Sequence, residues 1–209
     1  MKYSFLLIAV FLSANYSKAQ GNYERVKIGN LTWMKKNLDV TTYRNGDPIP
    51  QVKDPKKWAE IKTGAWCYFE NDSLNGRIYG KLYNWYAVND PRGLAPEGWH
   101  LPGDKEWDSL DTRLGGFEIA GGKMKETGTT HWLAPNTGAT NSSGFTGLPG
   151  GYRYLNGKFY DLGASASWWN TAEASATSAW AHGLSFESEI AGADGGYKQN
   201  GFSVRCVKD

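Results

Sequence analysis

Four Asn-Gly pairs, Asn45-Gly46, Asn75-Gly76, Asn156-Gly157 and Asn200-Gly201, constrain this chain more than any other feature. Asparagine and glycine both accept positive φ at little steric cost, so the pair is a strong short-range signal for a tight reversal between two strands. The flanks agree at two of the four. YRYL and KFYDL bracket the third pair, and GFSVRCV runs on from the fourth, with aromatic and β-branched residues that suit a pleated surface. The pattern predicts a β-rich domain.

Two or three helices interrupt the strands. DPKKWAEIK places Asp54 as a cap and Pro55 at the first helical position, where a missing N–H costs nothing. LYNWYAVND is ambiguous, with Leu82, Trp85 and Tyr86 on one helical face and aromatics that also suit a strand; helix is preferred. In APEGWHLPGDKEWDSL, Pro102 discourages a helix through Leu101. Gly103 then caps, Asp104 and Glu106 set negative charge against the helix dipole, and Trp107, Leu110 and Leu114 form one buried stripe before Gly115-Gly116 ends it. His100 there reads as a structural histidine, since no partner set surrounds it. From Gly115 to Gly163 the pattern weakens into a Gly-, Thr-, Asn- and Ser-rich loop too long for an ordinary connection.

Residues 1–19 read as an export signal: Lys2, the apolar run Phe5 to Leu12, then Ser17 and Ala19 before a cut at Gln20. That run is too short to cross a bilayer as an anchor, so no transmembrane segment is expected in the mature chain, 20–209, which reads as a single domain. Its 21 basic residues balance 21 acidic ones. With no basic grouping longer than Lys35-Lys36 or Lys56-Lys57, nucleic acid and anionic membrane are not expected partners. Cys67 and Cys206 are the two thiols, and export makes a disulfide between them the default. By the chain-entropy model such a bridge stabilises by roughly 4 to 5 kcal/mol. Two separately buried thiols are the other reading.

LTWMKKNL, YGKLYNWYAV, GWHLPGDKEW, GFTGLPGGYR, WWNTAE and the terminal GFSVRCVKD occur in this order between Val26 and Asp209. Together they resemble the Fibrobacter succinogenes major paralogous domain family, which is itself similar to the C-type-lectin-like and formylglycine-generating-enzyme superfamily. The resemblance implies an exported α+β domain of C-type-lectin-like fold, with a twisted antiparallel β core, flanking helices and long irregular loops. Gly103 departs from the hydroxyl residue usual in the family, a change worth only a few tenths of a kcal/mol at a helix cap. The resemblance implies no general activity.

The enzymes of that superfamily use two closely spaced cysteines that bind copper, whereas 138 residues separate the two here. Its calcium-dependent lectins hold sugar through an acidic or glutamine triplet around proline. Here Ala134-Pro135-Asn136 lacks the first oxygen ligand. NDSLNG, residues 71–76, is superficially calcium-like but has Leu82 where a bidentate acid belongs, so a turn is expected, and no cofactor is implied beyond a structural calcium that no specific motif supports. The commonest nucleophile, metal and phosphate signatures do not occur. His100, His131 and His182 lie far apart, and Glu173, Glu187 and Glu189 read as alternation along strands.

Ten tryptophans remain. Trp33, Trp66, Trp85, Trp99 and Trp107 fall in patterned elements and read as core. Trp132, Trp168, Trp169 and Trp180 fall in or beside the long loop, where Asn136, Asn170 and Glu173 add polar groups. These seven residues are the candidate ligand contacts, for a glycan or a cell-surface protein. The expectation is a non-enzymatic surface or envelope module located in the periplasm, on the cell surface or outside the cell. The alternatives are a secreted enzyme on the formylglycine-generating scaffold and a purely structural domain.

Overall fold

The computed structural model describes residues 23–209; the expected export signal over residues 1–19 lies outside them. A hairpin comes first, β1 (Arg25–Ile28) paired with β2 (Leu31–Met34) through Gly29 at φ +62°. Helix α1 (Pro55–Glu60) starts as its sequence dictates, with the Asp54 carboxylate accepting from the Lys57 N–H at 2.8 Å and Pro55 in the first turn. Short elements follow: β3 (Trp66–Cys67), a 3₁₀ turn (Phe69–Asn71), α2 (Ser73–Tyr79), β4 (Leu82–Tyr83), α3 (Trp85–Val88) and β5 (Trp99–His100). The ambiguous LYNWYAVND thus resolves into both structures, two residues of strand and then one helical turn. Asn84 ends the strand by accepting from the Ala87 N–H at 3.1 Å.

Helix α4 (Asp104–Arg113) begins at Gly103, whose N–H donates to Glu106 Oε2 at 3.0 Å, and buries Trp107, Leu110 and Leu114. Gly115 and Gly116, both at φ +101°, stop it. The expected long loop is overturned in part, because it contains helix α5 (Phe117–Met124); the hairpin expected around Asn156-Gly157 forms as β6 (Gly150–Arg153) with β7 (Phe159–Leu162). Gly121 and Gly122 sit inside α5 rather than breaking it. A Cβ at either would meet a backbone oxygen, Ile190 O at 2.5 Å or Gly138 O at 2.3 Å, so the helix uses them to press against neighbouring chain.

Three long strands complete the molecule, β8 (Ser165–Glu173), β9 (Ser178–Ser185) and β10 (Ala191–Tyr197), in one antiparallel sheet of order β10-β9-β8. A second sheet has the order β1-β2-β11-β5, where β11 is Val207–Lys208. The segment leading to β11 ties the molecule together. Phe202 bridges Tyr83, Gly201 bridges Arg153, Ser203 bridges Trp168, and Val207 pairs with both Trp33 and His100. The fold is α+β.

The Asn-Gly pairs behave in three ways. Gly46 (φ +97°) and Gly157 (φ +81°) are turn residues as expected, the second closing β6 onto β7. Asn75-Gly76 lies within α2 instead, where a Cβ on Gly76 would fall 2.3 Å from the Tyr68 ring, and so close ring packing explains this glycine. The turn expected for residues 71–76 is corrected with it, since Asp72 caps α2 by accepting from the Leu74 N–H at 2.8 Å. Asn200 ends a turn through its N–H to Tyr197 O at 2.7 Å, but Gly201 is already extended and bridged.

The expected Cys67–Cys206 disulfide is also corrected: both cysteines are buried and free. They belong to different parts of the core. Cys67 sits with Trp58, Ala65, Phe69 and Leu82, facing the Arg153 guanidinium, while Cys206 packs in the main cluster around Met34, Leu38 and Val204. The Phe202–Tyr83 bridge and the β11 pairing fix the terminal segment without a covalent link.

Candidate functional site

The β8–β9–β10 sheet has two different faces. Ala166, Trp168, Leu184 and Ala191 point to one, packed with Trp33, Trp107 and Phe145 of the hydrophobic core. On the other, strand alternation and register set Trp169 opposite Ala181, Ser167 opposite Gly183, Ser165 opposite Ser185, and Gly192 and Asp194 opposite Gly183 and Ala181. The Trp169–Ala181 end of this second face is covered by Phe202, whose ring lies 4.4 Å from Trp169. The Ser–Gly end is not covered, and it floors a groove of about 570 Å³.

The groove has a flat floor because its residues are small. A Cβ added at Gly192 meets nothing within 4 Å, and at Gly183 only Gly192 O at 3.7 Å. One wall is aromatic. Phe202, Tyr152, Tyr154 and Tyr197 line it, and Tyr160 links them from outside the lining, giving a chain Phe202–Tyr152–Tyr160–Tyr154–Tyr197 with successive ring centroids 5.7, 5.8, 6.2 and 6.1 Å apart. The β6–β7 hairpin supplies three of these rings, and buried Arg153 holds that hairpin in place. Its guanidinium donates to Gly157 O, Val52 O and Lys53 O at 3.0, 2.6 and 2.9 Å and stacks on Trp58.

The electrostatics of the groove are one-sided. Partial burial raises the Tyr152 phenol above its ordinary value, and the charges of Asp161 and Asp194 raise it further. Both carboxylates therefore act on the same point of the wall. Asn200 adds a buried acceptor: it is 4 % exposed, lines the groove, and its Oδ1 has no hydrogen-bond partner. No Lys or Arg is among the described residues that line this space. Another hollow, about 600 Å³ between Gly29-Asn30 and α4, is walled by Lys105, Asp108 and Arg113 and has no aromatic ring.

The residues singled out from sequence are not gathered in this groove. Trp132, Trp168 and Trp169 are buried, and their indole N–H groups donate to Gly147 O (3.0 Å), Asn37 Oδ1 (2.8 Å) and Tyr83 O (2.7 Å). Asn136 is buried and donates to Glu126 O and Gly128 O, holding the irregular loop. Asn170 donates to Asp104 Oδ1 at 2.6 Å, and Glu173 pairs with Lys198 at 3.2 Å. Trp180 is exposed, but register sets it beside Gly195, on the face opposite Asp194. The three histidines have separate partners, His100 with Asp209, His131 with Glu126, and His182 stacked 4.3 Å from the Trp107 ring. Among the described residues no group of three or more His, Cys, Asp or Glu side chains is arranged to hold a metal ion, and no helix is long and apolar enough to cross a membrane.

Sequence reasoning missed the groove because it weighed tryptophans and charges. The signal was the alternation of small residues in GASAS, HGLS and AGADGG beside a tyrosine-rich hairpin.

Comparison with curated proteins and with solved structures finds no match. The model of the Fibrobacter succinogenes major domain matches residues 26–208, from the second residue of β1 to the last of β11. It spans the two sheets, the hairpin that walls the groove and the closing terminal segment, and the chain belongs to the Fibrobacter succinogenes major domain family.

Proposed function

We propose that this protein is an exported, non-enzymatic recognition module on a C-type-lectin-like scaffold, and that it holds a glycan or protein ligand in the groove over β8, β9 and β10. The observation that carries this reading is the pairing of a continuous aromatic wall with a floor of Ser and Gly. Rings supply apolar contact area and hydroxyls supply directional hydrogen bonds, the combination that recognition of a polar ligand requires. An oxidase on the same scaffold would need exposed thiolates. Burial pushes the Cys67 thiol up to about 12 and raises Cys206 as well, so both sulfurs favour the unreactive protonated form.

The test is a glycan and envelope-protein array probed with the mature protein and with Gly192→Leu. A side chain at that position enters open space and does not need positive φ, so the fold is retained while the groove is filled. Binding by the parent that Gly192→Leu abolishes, at unchanged melting temperature, is the expected result. If the parent engages nothing, or the filled groove binds as well as the open one, the reading is wrong.

A further inference from the structure

Resting on that assignment of the groove, we infer that its ligand is an oligosaccharide of amino sugars with free, protonated amines. The charges offered to a ligand are all negative. Asp161 and Asp194 are exposed carboxylates that line the groove with Tyr152, and no Lys or Arg is among the described residues that line it. Two carboxylates beside aromatic rings favour a cation, and they repel uronate, sulfate or phosphate groups.

Geometry favours a sugar over a basic peptide. Extended peptides join a sheet at its edge, through unpaired strand N–H and C=O groups. The floor of this groove is a sheet face in which the β8–β9 and β9–β10 ladders are formed, with β10 as the outer strand, and it presents Ser165, Ser167 and Ser185 hydroxyls around flat glycine positions. A pyranose ring lies flat on such a floor and meets the tyrosines at its margin.

The experiment titrates the mature protein calorimetrically with two matched ligands, a β-1,4-linked glucosamine pentamer and its fully N-acetylated twin, plus a lysine-bearing pentapeptide. The amine-bearing sugar is expected to bind at least tenfold tighter than its twin at low salt. The difference should shrink as salt screens the carboxylates, and Asp161→Asn with Asp194→Asn should bring the twins to within threefold of each other. Equal affinity for both twins, or preference for the acetylated one, overturns the inference and leaves the groove's role as a binding site standing. Tighter binding of the peptide than of either sugar, blocked by Gly192→Leu, overturns it in the same way. Failure of all three ligands, with array binding still blocked by Gly192→Leu, removes the amino-sugar inference alone; failure of the array as well removes both.

Discussion

Lys125 offers the sharpest test of how the irregular stretch between α5 and β6 is held. Its side chain is fully buried, and its ammonium donates to three backbone carbonyls, Thr137 O, Ser185 O and Ser188 O, at 2.8, 2.9 and 2.7 Å. One cation thus links the end of α5, the loop and the β9–β10 connection, much as a metal ion would. Replacement by methionine keeps the length and apolar stem and removes the three donors. Thr137 and Ser188 lie outside the strands, and each lost hydrogen bond to a charged group costs about 1.5 to 3 kcal/mol. Against this, the variant no longer desolvates a charge, and that recovers part of the loss. The net expectation is a destabilisation of about 2 to 4 kcal/mol, read as a shift in the urea midpoint at unchanged m value. Amide exchange should accelerate at residues 137–140 and 186–190 and remain slow in β1 and β2. A loss below about 1 kcal/mol, or acceleration spread evenly over the molecule, would refute the reasoning, because the carbonyls would then be satisfied without the lysine.

Four further predictions concern the buried thiols, the β6–β7 turn and Trp168. Unreduced protein should show two thiols to Ellman's reagent in denaturant and none while folded; absence of both in denaturant would restore the disulfide. Because burial holds the Cys67 and Cys206 thiols above their ordinary value of 9.0, the folded state keeps protons that the unfolded chain releases, and the contribution of each thiol to stability is lost as pH rises above 9. Each thiol contributes a downward slope of about 1.4 kcal/mol per pH unit until it ionises in the folded state, so the slope measured for Cys67→Ala should be less negative than the parent's by that amount. Gly157→Ala combines φ +81° with a Cβ 2.5 Å from Pro55 backbone atoms, so a loss of more than about 1 kcal/mol and a weakened groove wall are expected in denaturation and binding assays. Trp168→Phe removes the 2.8 Å bond to Asn37 Oδ1, an oxygen that also accepts from Arg205, and should cost about 1 to 3 kcal/mol in the urea midpoint.

The legible parts of the fold were those fixed by local chemistry. The Asp54 cap with Pro55, the Gly103–Glu106 start of α4, its Trp107–Leu110–Leu114 stripe and the Gly115-Gly116 stop all depend on neighbours within a few residues, and they stand as read. What could not be read depended on distant chain. Gly76 sits in a helix because Tyr68 packs over it, and Gly121-Gly122 because the backbone at Ile190 and Gly138 crosses there. The cysteines illustrate the same limit, since compartment and count favour a bridge whereas the packing assigns each sulfur to a different cluster.

The tryptophans misled for a related reason. An indole near a loop reads as a ligand platform, but it also carries one N–H that a core backbone carbonyl can accept, and in this fold carbonyls in irregular backbone and in short or bulged strands take one up. Trp66, Trp85, Trp132 and Trp169 each supply one, to Ile49, Asn170, Gly147 and Tyr83. These four tryptophans therefore serve as apolar filler and hydrogen-bond donor at once, whereas Trp33, Trp58 and Trp107 are buried as filler alone. A binding face has the opposite need. It must keep backbone paired and side chains small enough to admit a partner, which a strand achieves by alternating Ser or Gly with apolar residues, as Ser165, Ser167, Gly183 and Gly192 do beside Ala166, Leu184 and Ala191. Tyrosine suits the margin because it can pack its ring and leave its hydroxyl wet. In this chain small residues at period two, followed in space by tyrosines, mark the proposed ligand face, and the buried tryptophans mark where no ligand can reach.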